Sequence, residues 1–144
     1  MSLPTPEPGL VLSYSYLWKH QAQAGNEEGM KDRPCAVTLV IETSDTETTV
    51  WVAPITHTNP NDDKISIEIP SRVKNHLGLD NERSWIIINE VNVFVWPGPD
   101  LRPVPGNKGV FNYGFLPPKL YDQLREKMLS LYKTATLRSV KRSD

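Results

Sequence analysis

With 144 residues, 38% apolar and 23% charged, the chain is long enough for one domain with its own core and short for two. Sixteen Lys and Arg against seventeen Asp and Glu give a net charge of -1, which excludes a histone-like polycation and an acidic disordered tail. The single cysteine, Cys35, excludes an intrachain disulfide and a cysteine-based zinc site.

Leu3 to Pro8 is a proline-rich arm, and Gly9 leads into Leu10 to Tyr16, whose partial alternation predicts a first strand. Lys19 to Lys31 is polar, contains Gly25 and Gly29, has no apolar period, and reads as a mobile loop. Cys35 to Ile41 is an apolar, β-branched run that predicts a buried strand, with Cys35 as a small buried hydrophobe. Thr43 to Thr48 is a hairpin connection, and Thr49 to Ala53 returns as a third strand stopped by Pro54.

Ile65, Ile67 and Ile69 alternate with polar residues, so a fourth strand with one wet face is expected there. Ser71 is placed to cap a short helix, with Val73 and Leu77 on one face and Gly78 at its end. Trp85 to Ile88 and Val93 to Trp96 read as strands, joined by a turn or interrupted by a bulge at Asn89 to Asn92. Pro97 to Pro105 is a stiff loop. Pro118 opens a helix with Leu120, Leu124, Met128 and Leu131 on one stripe. After Tyr132 the chain is basic and polar and is expected to fray. Five or six short strands and a terminal helix predict a mainly β fold, a small twisted barrel or roll.

No bilayer-length apolar run and no basic region ahead of an early apolar segment are present, so the expectation is a cytoplasmic protein with no membrane partner. Charge is uneven. Arg102 to Arg142 holds nine basic and two acidic residues, whereas Glu42 to Glu68 holds six acids and one base, which points an anionic partner to the C-terminal third.

Nucleotide-binding glycine loops, HExxH and GxSxG are absent. His20, His57 and His76 share no metal-ligand spacing, so no metal is expected unless the fold assembles a site. Two segments concentrate polar groups at strand ends. Gly25 to Pro34 delivers Arg33 to the mouth of a buried strand, and Ala53-Pro54-Ile55-Thr56-His57-Thr58 exposes two hydroxyls and an imidazole. A planar guanidinium beside a hydroxyl suits a phosphodiester. The structural alternative pairs Arg33 with Asp32 or Glu90 and lets Thr56 cap a turn.

The order of these pieces resembles the PemK/MazF toxins. Gly9 and its strand, a Gly/Glu loop, Lys31-Asp32-Arg33-Pro34 with an apolar strand, a strand ending Pro54-Ile55-Thr56, and a later strand with Glu90 carry the resemblance over about Pro8 to Leu131. It implies a single-domain SH3-like β-barrel with a C-terminal helix. It also implies a homodimer with a cognate antitoxin, acting on single-stranded RNA as a metal-independent endoribonuclease. The family's loop arginine falls on Arg33 and its strand-end threonine on Thr56. The loop glutamate falls on Glu28 by spacing or Glu27 by pattern, and a later acid falls on Glu90, although the basic residues around that acid are missing here.

Cleavage without metal uses the ribose 2′-OH as nucleophile, with Arg33 and Thr56 stabilising the phosphorane and Glu27, Glu28 or His57 moving protons. Tyr16, Trp18 and Trp96 are candidate base platforms, and Lys31, Thr58, Arg102 and Lys108 candidate RNA contacts. The competing reading is a non-catalytic barrel that binds RNA, DNA or a protein tail.

Overall fold

The structure, a computed structural model, describes residues 3–25 and 31–142. In chain order the elements are β1 (Leu10–Tyr14), α1 (Lys19–Gln23), β2 (Arg33–Glu42), β3 (Thr48–Thr56), β4 (Ser66–Glu68), α2 (Ser71–Leu77), β5 (Trp85–Ile87), β6 (Glu90–Val95), β7 (Asn112–Phe115), α3 (Pro118–Lys133) and β8 (Arg138–Lys141). The strands form one mainly antiparallel sheet in the order β4-β5-β3-β2-β1-β7, with β6 on β3 and β8 parallel to β6. The sheet bends but does not close into a barrel.

The apolar runs are near-continuous because the central strands are covered on both faces. All five residues of β1 are buried. Their alternation sends Val11 to one cluster, with Ala36, Ala53, Ile86, Leu120 and Leu124, and Leu10, Leu12 and Tyr14 to the other, with Cys35, Val50, Val52 and Phe94. α3 roofs the first cluster with Leu120, Leu124 and Met128, as its four-residue stripe predicts. Gly78 ends α2 in the left-handed conformation at φ 70°, but Pro70 holds the N-cap position and Ser71 is already helical.

Pro54 does not stop β3. It pairs with Cys35, and the strand runs on to Thr56 after bending out of the β2–β6 neighbourhood to pair Ile55 and Thr56 with Ile86 and Trp85. Lys19–Gln23, expected within a mobile loop, forms α1, started by Gln21 Oε1 accepting the Trp18 N–H at 3.1 Å. The 98–114 segment contains the start of β7, whose polar and glycine-bearing sequence hides its pairing with β1.

The basic tail does not fray as expected. It forms β8 on β6, and Arg142 is almost fully buried. Arg142 Nη1 donates to Ser15 O at 2.6 Å and Asn92 Oδ1 at 3.0 Å, and Nη2 pairs with Asp100 at 2.8 Å. Asn92 in turn accepts the Leu17 N–H at 2.9 Å and donates to Leu17 O at 2.7 Å. A guanidinium whose donors meet a carboxylate and two oxygens is stable in a core where a free one is not. Among the described residues no helix is long and apolar enough to cross a membrane.

Candidate active site

β2 and β3 are joined by a hairpin, so where β2 starts β3 ends. Cys35 pairs with Pro54, so Arg33 at the start of β2 and Thr56 at the end of β3 emerge at the same end of the sheet. Both side chains line the same two cavities, one of about 440 Å³ and one of about 400 Å³. Lys31 is the third residue common to both walls.

Arg33 pairs with neither Asp32 nor Glu90. Asp32 faces Arg102 Nε at 3.6 Å, and Glu90 Oε2 accepts both the Tyr16 hydroxyl at 2.8 Å and the Lys19 N–H at 3.0 Å. The Arg33 guanidinium lies 5.1 Å from the centroid of the Trp18 ring, and its buried Nε has no hydrogen-bond partner among the described residues. Burial lowers its pKa, against the opposing effect of Cys35 and Tyr16. A half-buried cation without a counter-ion is destabilising by itself and is relieved by an incoming anion. Thr56 Oγ1 accepts the Thr58 N–H at 3.2 Å, which leaves its own proton to donate.

His57 is on the wall of the larger cavity, with Nε2 2.8 Å from Asp80 Oδ2 and Nδ1 3.4 Å from Glu82 Oε2. Asp80 Oδ1 accepts from Lys74 Nζ at 2.7 Å and from the Glu82 N–H at 3.1 Å. Lys74, buried in α2, also donates to Ser84 Oγ at 2.8 Å and to Glu82 O. Burial favours the neutral Asp80 carboxyl, but the Lys74 hydrogen bond, the His57 side chain and the Glu82 N–H outweigh it and hold the group below the usual carboxylate range.

The folded pKa of Asp80 therefore lies below the ordinary value of about 3.9, so its charge stabilises the fold above that pH and the gain is lost as pH falls through the folded value. Asp80→Asn is expected to lower the urea midpoint at pH 6 and to converge with wild type under acid. A difference unchanged by pH would show that the charge is not the source.

The ligand-capable atoms of His57, Asp80 and Glu82 lie within 4.8 Å of one another. Sequence spacing gave no sign of this group, because Asp80 and Glu82 come from the α2–β5 connection. His57 is the histidine that the fold surrounds with acids.

The remaining candidates separate. Trp18, His20 and Thr58 line the smaller cavity. Tyr16 is only 1% exposed, so it is no platform for a base. Burial, then the charge and hydrogen bond of Glu90, push its hydroxyl well above the ordinary value. Glu90 lines neither cavity and serves as the acceptor that fixes Tyr16 and α1. Tyr16→Phe removes a hydrogen bond to a carboxylate and is expected to cost about 1.5–3 kcal/mol in chemical denaturation.

Trp96 packs at the edge of the second cluster. Arg102 is spent on Asp32 and on the Pro99 and Leu101 carbonyls at 2.7 and 3.1 Å, while Lys108 is exposed and lines neither cavity. Glu27 and Glu28 lie outside the described residues. Tyr113 and Val104, which the sequence did not single out, wall the larger cavity. The chain matches no family model and no curated protein.

Proposed function

We propose that this protein is an endoribonuclease that cleaves single-stranded RNA without a metal ion, a toxin of PemK/MazF type working in the cytoplasm. The observation that carries the reading is the convergence of a half-buried Arg33, whose Nε has no partner among the described residues, and a donor-ready Thr56 hydroxyl on the wall between two cavities. A phosphodiester laid there receives a bidentate guanidinium and a hydroxyl donor, with exposed Lys31 supplying further positive charge.

The ribose 2′-oxygen forms a bond to phosphorus, the bond to the 5′-oxygen breaks, and the products are a 2′,3′-cyclic phosphate and a 5′-hydroxyl. One proton leaves the 2′-hydroxyl and one reaches the departing 5′-oxygen. Arg33 and Thr56 stabilise the crowded dianion between these events. His57 is the nearest titratable side chain in sequence to Thr56 on the same cavity wall and fits a proton-transfer or binding role.

The reading carries kinship with SH3-like barrels, here with an open sheet, and the bend that splits β3 between β6 and β5 supports that relationship. It also carries a homodimer and a cognate antitoxin. Exposed Leu39, Ile41, Leu129 and Tyr132 beside an apolar groove between β2 and α3 support an association surface.

The engagement of Glu90 by Tyr16 and Lys19 favours the second reading, a non-catalytic RNA-binding module. End-labelled RNA incubated with the pure protein in EDTA decides between them. Cyclic-phosphate ends are the expected result. Intact RNA in EDTA that is cut once a divalent cation is restored would overturn the metal-free mechanism and direct attention to His57, Asp80 and Glu82. Binding without cutting under either condition would leave the module.

A further inference from the structure

The two cavities that meet at Arg33 and Thr56 differ in charge. Lys31 and Arg33 line both, but the larger one adds Asp32 and Asp80 beside His57, whereas the smaller one adds His20 and no carboxylate among the described residues. The larger cavity is also walled by Val104, Pro105 and Tyr113, from the 98–114 segment and β7.

This wall is built before any substrate arrives. Ser13 Oγ donates to Pro103 O at 3.2 Å, the Arg102 N–H donates to Ser13 O at 2.9 Å, and the Ser15 N–H donates to Asp100 O at 2.9 Å. The Arg102 side chain ties the same segment to Asp32, 3.6 Å away.

We infer that the larger cavity is a nucleobase subsite that selects a base with an exocyclic amine over one with a carbonyl at the same place. This rests on the ribonuclease reading and names the specificity of that site. With the phosphodiester on the shared wall, one neighbouring nucleoside enters the larger cavity, while the chain continues past the cationic smaller one, where a further phosphate is tolerated.

Carboxylates accept hydrogen bonds and offer none. Cytosine presents an amine at C4, whereas uracil, of nearly the same shape, presents a carbonyl oxygen there that an aspartate repels. Asp32 is half-exposed and Asp80 remains ionised at neutral pH, so both keep lone pairs for a base.

The test is fluorescence anisotropy with 2′-fluoro RNA octamers, C8 and U8, which carry no nucleophile and so report binding alone. Wild type is expected to bind C8 about tenfold more tightly than U8. Val104→Trp, which fills the cavity, and Asp32→Asn, which removes a carboxylate while barely changing shape, are each expected to bring the two affinities within about twofold while RNA is still bound. Equal wild-type affinities, or a preference that survives in both variants, overturns the subsite alone. Failure of wild type to bind either octamer, or an unchanged affinity in Arg33→Ala, overturns the underlying reading as well.

Discussion

Arg33→Ala is expected, under the proposed ribonuclease reading, to lower the rate of RNA cleavage at least about a thousandfold while leaving the fold intact, because on that reading the guanidinium is the principal charge facing the phosphorane. The stability readout is as informative as the activity. An ordinary arginine that packs and pairs is destabilising to remove. This one has a buried Nε with no partner and no carboxylate facing it among the described residues, so the variant should melt at or above the wild-type temperature. Retained turnover would remove Arg33 from the chemistry, and a large drop in melting temperature would make it a structural residue.

Arg142→Ala is expected to be the most destabilising single change, about 3–5 kcal/mol by urea denaturation, because it takes one half of an ion pair away from Asp100, whose side chain is only 9% exposed. It also removes donors from Ser15 O and Asn92 Oδ1, and Asn92 holds Leu17 immediately before Trp18, the ring over which Arg33 lies. The floor of the cleft thus depends on a residue from the far end of the sequence. Cleavage should fall more steeply than folded population alone accounts for, and a loss that tracked folded population would separate the two regions.

The strands were legible because burial on both faces leaves continuous apolar runs, and α3 because one face repeats every turn. β7 and β8 were not. Each is four residues long and mixes apolar with polar or glycine positions, too short for a period to show, and what makes them strands is the edge each meets, β1 in one case and β6 in the other. That Arg33 and Thr56 share one end of the sheet was within reach, since a hairpin returns the end of its second strand to the start of its first, but the register shift between Val37 and Leu39 was not legible by counting. The His57–Asp80–Lys74 arrangement was not, since it joins the end of β3 to α2 and an irregular connection that share no period. Glu90 was read as chemistry because the resemblance to the PemK/MazF toxins places an acid there. A buried tyrosine claims it here.

The parallel pairing of Glu90 to Val93 with Arg138 to Lys141 has a kinetic corollary. Parallel neighbours cannot zip from a tight turn, and the contact between Ser15 and Arg142 spans 127 positions of chain. A nascent polypeptide can form the β2–β3 hairpin early, but it cannot lock the Trp18 segment beneath Arg33 until residue 142 has cleared the ribosome. Synthesis must therefore pass residue 142 before the cleft is assembled.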